Sequence, residues 1–535
     1  SIKVGPAYLL LCTHTVNCIN IAHPAKNSPS PIVAERKKYV FSASNAAGLF
    51  CVATFPLIIE PFISTGDFFV SWWVSTSAIS LMISALLLFT HRNLQPGPRI
   101  RKSTKSTPTS HKIAAIALLA PFAPGLLLST TTSFFIQEKG DHPLYWLTPL
   151  CTFLLSYYVA FRNFIDETKP YARTLAISGV IIGIVAMEGF SHARMAIAIP
   201  LICLFCTGVV FHTALARLED GSPDARWIYA VSSVGSAFGC LAGMLIPVAI
   251  NAHPAEFLVV VSISILLCAA IYKNHTLEKA AYCIAALITL SAYITHTHRV
   301  SQQEIFFKRN FYGTTSVREY DSNVIGKYRL LFSGRTVHGL QPIETTLQGK
   351  TYTYYGEHSG IARIINQSAD PKKIGVIGLG AGTIAAHGSP EDTIHFIEID
   401  PAVVEVAASQ FSYLKDSPAQ IHLTQGDGRN SLYTFPNHHF DILIIDAFSG
   451  SYVPRHLLTE EAVKLFLNKT KKTGIVLYHI SNNLIDLRPL IEMNVRSTPA
   501  KLEFLCNNAK DDFYLPSIYA ALSLSGDIPT SPNRC

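Results

Sequence analysis

Charge is what this sequence has least of. Only 15% of its 535 residues are Asp, Glu, Lys or Arg, and its mean hydropathy is +0.29. A soluble domain usually carries about 25% charge. That deficit excludes a chain that is soluble throughout. It is also uneven: residues 1–298 are largely apolar runs, whereas 299–535 have an ordinary mix of charge, Gly and Pro.

A disulfide pattern is missing too. Of 11 Cys, nine are scattered through the apolar half, so a disulfide framework is not expected. Metal-ligand spacing is nearly absent. Cys203-Leu-Phe-Cys206 has it, but within an apolar helix, where small core residues are the simpler reading, and no metal is expected. No signal peptide is recognisable. Ser1 falls inside a hydrophobic segment, as in a fragment of a longer chain.

What is present begins with membrane-length segments. A span needs about 20 mostly apolar residues. Candidates are 4–22, 39–63, 68–90, 113–134, 143–161, 174–188, 194–214, 227–249, 255–272 and 280–297, eight to ten spans in all, with 4–22 and 174–188 the weakest. The net charge of +7 gathers in loops beside them, as in Arg99-Ile-Arg-Lys102 and Lys105. That is a topology signal rather than a nucleic-acid patch, and no nucleic-acid partner is expected. The basic loop 91–112 is placed in the cytoplasm. Counting on from it puts residue 300 outside, against a cytoplasmic cofactor domain, and the chemistry is given precedence. His212, Asn45 and Glu60 are polar positions inside spans. Ser232, Ser233, Gly235, Ser236, Gly239 and Gly243 suit close helix packing.

Beyond the spans, 305–365 reads as short strands: Phe311–Val317, Tyr328–Phe332 and Tyr352–Tyr355. From 372 strands and helices alternate. Lys373–Ile377 is a buried strand running into Gly378-Leu-Gly-Ala-Gly382. Thr393–Asp400 is a second, followed by a helix over 401–411. Gln420–Thr424 is a third, ending at Gly426-Asp-Gly428. Phe440–Ile445 and Gly474–His479 are the fourth and fifth. This pattern predicts a parallel sheet with ligands at the carboxyl ends of its strands.

The polar residues sit at those ends. Gly378, Gly380 and Gly382 let a ligand approach the backbone. Glu398 suits two ribose hydroxyls, with Asp400 beside it; Asp427 suits an adenine amino group, and Asp446 points into the same crevice. The dinucleotide fingerprint needs Gly-x-Gly-x-x-Gly, but position 383 is Thr. The third Gly comes one residue early, which favours an adenosyl-sulfonium ligand. The expected fold class is an α-helical transmembrane bundle (1–298), a small β-domain (299–368) and an α/β Rossmann-like domain (369–535), which the resemblance described next makes methyltransferase-type.

From Arg309 to Leu490 the sequence resembles the spermidine synthase family of aminopropyltransferases, which shares its fold with S-adenosylmethionine-dependent methyltransferases. The resemblance is carried by Arg309-Asn-Phe-Tyr-Gly313, His338-Gly-Leu-Gln341, Tyr354-Tyr-Gly-Glu-His-Ser-Gly360, the glycine loop, Glu398-Ile-Asp-Pro401, Gly426-Asp-Gly428, Asp446-Ala-Phe-Ser449, His456-Leu-Leu-Thr-Glu-Glu461 and His479-Ile-Ser-Asn482. Ser42–Gly48 and Phe211–Arg217 are similar to bacterial membrane proteins that fuse a major-facilitator-like half to a spermidine-synthase-like half.

The resemblance implies transfer of an aminopropyl group from decarboxylated S-adenosylmethionine to an amine or polyamine, in polyamine metabolism. Asp446 would be the base. Tyr355, Glu357 and Gln341 would line the amine and sulfonium pocket, with Gln341 also toward the cofactor. Glu398 and Asp427 would hold the nucleoside. It also allows a homodimer, and it implies a multi-pass protein of a bacterial inner membrane with its soluble part in the cytoplasm. Two departures stand out. The family's second acid in Asp-x-x-Asp is Ser449, and Gly356 replaces the His of Tyr-His-Glu. His479 would then supply a base or contact. Alternatives stay open: a methyltransferase using S-adenosylmethionine, or a polyamine- or nucleoside-binding transporter or sensor without catalysis.

Overall fold

The computed structural model describes residues 111–535 and Leu49, apart from 140–142, 163–166, 221–224, 272–275, 369–370, 449–452, 482–485, 509–512, 527 and 529–535. The candidate spans 4–22, 39–63 and 68–90, together with Asn45 and Glu60, lie outside the described residues. Two compact units emerge. One comprises Ser1–Phe135, His142–Ile250 and Pro254–Thr297; the other is His298–Cys535 with Ile136–Asp141 and Asn251–His253.

The described part of the first unit is helical: α1 (His111–Lys139), α2 (Pro143–Phe161), α3 (Lys169–Met187), α4 (Ala193–Asp220), α5 (Ala225–Ala249), α6 (Phe257–Ile271) and α7 (Thr276–Gln303). Among the described residues, five stretches are long and apolar enough to cross a membrane: Ala114–Gln137, Lys169–Met187, Arg194–Leu218, Ala230–Ala249 and Thr276–Gln303. The weak candidate at 174–188 is thus part of a full-length helix.

The small residues of α5 meet the backbone of α1. A Cβ on Gly235 would lie 2.1 Å from the Leu118 carbonyl oxygen, and one on Gly239 would lie 2.3 Å from that of Phe122. Only glycine permits so close an approach. His212 serves helix pairing as well. Its Nδ1 bonds Ser156 Oγ at 3.1 Å, and its ring stacks on Tyr157.

The second unit opens with an antiparallel meander: β1 (Glu304–Asn310), β2 (Gly313–Ser322), β3 (Gly326–Ser333) and β4 (Thr336–Pro342), in the order β1-β2-β3-β4. Tyr352–Tyr355, expected as a strand, is not one. It makes a single bridge, Thr353 to Tyr514, and Thr353 has a positive φ of 58°, which breaks extended pairing.

Then come α8 (Gly360–Gln367), β5 (Lys373–Ile377), β6 (Thr393–Glu398), α9 (Pro401–Gln410), β7 (Gln420–Gln425), β8 (Phe440–Ile445), α10 (Glu460–Lys469), β9 (Thr470–His479), α11 (Arg488–Val495), β10 (Lys501–Asn507) and β11 (Ser517–Ser523). The sheet order is β10-β11-β9-β8-β5-β6-β7. Strands β5 to β9 are mutually parallel, and β11 runs antiparallel between β9 and β10. The order reverses between β5 and β8, which creates the crevice where doubly wound sheets bind ligands. Both faces are covered. Ile374, Val376, Ile442 and Ile444 belong to one buried cluster, and Ile377, Leu443 and Ile445 to the other. That alternation is the period of two that a strand dictates. Cys506, at the end of β10, is disulfide-bonded, a link the scattered cysteines did not suggest.

The meander docks on this sheet. Gln410 O accepts from Arg329, and Ser412 N–H donates to Gln341 Oε1 at 2.8 Å. A Cβ on Gly339 would fall 2.4 Å from Ala381 Cβ. Strand β4 therefore lies directly against the glycine loop.

Candidate functional site

The glycine loop turns because three of its residues take left-handed backbone: φ is +101° at Gly378, +55° at Gly380 and +81° at Gly382. At Gly378 the reason is space as well as conformation. A Cβ there would lie 2.2 Å from the Asp446 carbonyl oxygen. The Asp446 N–H donates to Ile377 O at 2.8 Å. The loop and Asp446 are thus neighbours at the point where strand order reverses.

No long helix follows the loop, only a 3-10 turn over Thr383–His387. A dinucleotide site places its pyrophosphate on a helix N-terminus. That cradle is missing here.

Glu398 ends β6. One carboxylate oxygen accepts from Leu379 N–H at 3.0 Å and the other from Asp400 N–H at 2.8 Å. Ile399 N–H acts on the carboxylate as well, and the acceptor capacity left over suits a ribose hydroxyl. Burial pushes its carboxyl up to about 7, against the pull of those backbone donors. Thr383 Oγ1, just past the loop, is buried without a hydrogen-bond partner. An adenosyl group fits this set: a backbone cradle that side chains would fill, a strand-end carboxylate and an unused hydroxyl.

Asp400 and Asp427 have structural partners. Asp400 caps α9 by accepting from Ala402 N–H at 2.8 Å, and it also accepts from Asn310 Nδ2 at 2.5 Å. Asp427 caps a short helix through Asn430 N–H at 2.8 Å, while His456 Nε2 meets its other oxygen at 2.9 Å. Gln341 is similarly occupied. Its amide nitrogen donates to Ser412 Oγ at 2.9 Å and to Gln348 O at 3.1 Å, so both amide protons are used within the protein. Glu357 is exposed.

Asp446, Tyr355 and His479 do come together. Tyr355 OH donates to Asp446 Oδ2 at 2.8 Å, and His479 Nδ1 meets Oδ1 at 2.7 Å. Burial, then the Asp446 charge, raises the Tyr355 phenol well above its ordinary range, so it remains a donor. On the far side, His479 Nε2 lies 2.9 Å from Ser481 Oγ, which accepts from Ile518 N–H at 2.8 Å. Ser481 therefore has its own proton to give to Nε2, which leaves Nδ1–H to donate to Asp446. His479 also sits among rings. Tyr519 stacks on it at 4.6 Å between centroids, with Phe448 at 5.0 Å and Tyr354 at 5.2 Å.

Several of these neighbours were not assigned from sequence. Tyr519 reaches His479 through antiparallel pairing of β11 with β9, a long-range register that local pattern does not carry. His338 lies in the stretch His338-Gly-Leu-Gln341, whose sequence alone assigns it no role. Its Nε2 is buried without a partner, and burial lowers its pKa to about 4. Ser449 and Asn482 lie outside the described residues.

The doubly wound sheet with its one reversed strand, β11, the glycine loop and the strand-end acids make this a methyltransferase-like α/β domain. Sequence comparison gives more particular kin. Over 107 residues the chain is 34% identical to the polyamine aminopropyltransferase of Vibrio vulnificus (strain CMCP6), a transferase. That match covers 19% of this chain and 34% of the relative, so the chain spans about a third of the curated protein it resembles. Among solved structures, the spermidine synthase from Thermotoga maritima matches at 16% identity and TM-score 0.32, over 42% of this chain and 74% of its own. Human methyltransferase-like protein 13 matches at 15% identity and TM-score 0.26, over 33% and 80%. No protein-family model matches the chain.

Proposed function

We propose that the protein is a membrane-bound aminopropyltransferase, moving an aminopropyl group from decarboxylated S-adenosylmethionine to an amine. One observation supports this most: a buried carboxylate, Asp446, sits at the switch point beside the glycine loop, with both oxygens oriented by donors. In the proposed step the amine lone pair attacks the propyl carbon bonded to the sulfonium. The C–S bond breaks, its electrons pass to sulfur, and methylthioadenosine leaves. Asp446 takes the proton that the new C–N bond releases. Tyr355 and His479 hold the carboxylate in line. His479 orients rather than abstracts, since both its nitrogens are committed. Glu398 and the loop of Gly378, Gly380 and Gly382 hold the nucleoside; Asp427 reaches the adenine only if His456 yields. Asp400 supports the reading as a helix cap beside Glu398.

The five membrane-length helices among the described residues support anchorage in a bilayer. Two signals on orientation oppose each other. Disulfides such as that of Cys506 persist in oxidising compartments, whereas an adenosyl co-substrate is a cytoplasmic metabolite. We take the cytoplasmic face of a bacterial inner membrane. The 369–535 segment is read as the cofactor domain and 299–368 as its β-domain.

Purified protein incubated with decarboxylated S-adenosylmethionine and a panel of amines tests the proposal. It predicts methylthioadenosine release coupled to a longer amine. No product from any amine would overturn it.

A further inference from the structure

Most of the described polar side chains that touch Asp446 or its two partners are committed. Tyr355 and His479 bond its two oxygens. Tyr519 OH donates to Tyr354 O at 2.8 Å. Ser481 is held by Ile518 and His479. His338 differs: its Nε2 is buried and has no hydrogen-bond partner. Buried polar atoms are nearly always partnered, so an orphaned one beside a candidate site calls for an explanation.

The place of His338 is fixed. Its carbonyl oxygen lies where a Cβ on Gly380 would come within 2.9 Å, and the next residue, Gly339, packs on Ala381. Strand β4 therefore presses His338 against the cofactor loop. Its ring lies 6.5 Å from that of Phe448, two residues past Asp446. Asp446 lies near enough for its charge to act on the ring, though burial outweighs it. An amine held by Asp446 beside the glycine loop has His338 as a neighbour.

We propose that His338 is a substrate-contacting residue that sets amine specificity: its ring, through Nε2, hydrogen-bonds the second polar group of the amine substrate. This rests on the aminopropyltransferase reading above. Burial keeps the ring neutral at physiological pH. Among the described residues, Asp446 then brings a carboxylate and His338 an uncharged imidazole. An α,ω-diamine brings two ammonium groups, and the second would be desolvated without an opposite charge, which is costly. An amine whose far end is a hydroxyl or amide brings one charge and one neutral polar group, and it matches the pair. The substrate class is therefore a primary amine with an uncharged, hydrogen-bonding tail.

The test uses the full chain in detergent or nanodiscs, with 4-amino-1-butanol and 1,4-diaminobutane as probes. Wild type is expected to favour the amino alcohol in kcat/KM by tenfold or more. His338→Asp supplies a second carboxylate and should reverse that ranking. His338→Gln keeps a neutral hydrogen-bonding group and should retain it, with a KM within a few-fold. His338→Phe should raise KM for the amino alcohol while kcat changes little, which a merely structural role would not produce. Melting temperatures check that each variant folds. Wild-type preference for the diamine, or an unchanged ranking in His338→Asp, overturns the assignment. Absence of all turnover in wild type would instead sink the aminopropyltransferase reading. His338 is then read by calorimetric binding of the two probes to wild type and His338→Asp, where the same ranking in both, or no binding to either, overturns it.

Discussion

Replacing Asp446 separates its structural work from its chemical work. Its carboxylate is buried and accepts from Tyr355 OH at 2.8 Å and from His479 Nδ1 at 2.7 Å. Asp446→Ala leaves both donors facing nothing. An unsatisfied buried polar group costs about 1–3 kcal/mol, so the pair costs about 2–6 kcal/mol. Asp446→Asn behaves differently. The amide oxygen still accepts from His479, and the amide nitrogen donates to Tyr355, whose hydroxyl rotates to accept. Two charge-assisted bonds become neutral ones, a loss of about 1–3 kcal/mol that is offset by no longer burying a charge. Stability then changes by about 2 kcal/mol or less. Turnover has no such compensation, because an amide takes no proton, and loss of a general base costs about 10²–10⁴ in rate. The assays are thermal unfolding of the detergent-solubilised full chain and methylthioadenosine release. Expected is a stable, inactive Asp446→Asn and an unstable Asp446→Ala. Equal melting of Asp446→Ala and wild type would refute the hydrogen-bond geometry. Full activity in Asp446→Asn would refute the base.

Three further outcomes follow from the same physical picture. Glu398 has its pKa pushed up to about 7; if only the carboxylate accepts ribose hydroxyls, affinity for the adenosyl co-substrate rises about tenfold from pH 6 to pH 8. The sign for the ligand-free domain is opposite: a raised carboxyl pKa contributes stability below about pH 4.5 that is lost as pH passes 7, so flat pH profiles for both binding and melting would contradict the burial of Glu398. Lys372 and Asp392 form a buried ion pair at 3.2 Å, and Asp392 also accepts from the N–H groups of Lys372 and Ser389; Lys372→Met strands the carboxylate and should destabilise the domain by about 3–5 kcal/mol, measured by unfolding, while leaving substrate KM unchanged. Gly380→Ala forces a left-handed alanine, costing about 1–2 kcal/mol, and sets its methyl 2.9 Å from the His338 carbonyl oxygen; co-substrate affinity should fall with secondary structure retained by circular dichroism.

The sheet was legible because local pattern carries it. Buried strands such as Lys373–Ile377 are short β-branched runs ending in Gly or Asp, and the helix after Pro401 starts where its sequence says, with Asp400 as cap. The apolar helices were legible for a similar reason, since length and composition mark them. What escaped depends on distance along the chain. Strands β10 and β11 were not anticipated, and the pairing of Tyr519 with His479 brings an aromatic wall to the site from 40 residues away. Tyr352–Tyr355 has the composition of a strand, yet tertiary packing bends it at Thr353. In the site, residue types were readable but their commitments were not. Only coordinates reveal that Gln341 is spent on Ser412 and Gln348, that Asp427 is held by His456, and that the Nε2 of His338 is left over.

The central claim is that the glycine loop and Glu398 hold an adenosyl-sulfonium co-substrate beside Asp446. Calorimetric titration of the purified full chain with decarboxylated S-adenosylmethionine and with S-adenosylmethionine addresses it most directly. The account predicts saturable binding of the decarboxylated form at micromolar concentration, at least tenfold tighter than the carboxylated form, and lost in Glu398→Ala. Binding of neither, or a clear preference for the carboxylated form, would contradict it.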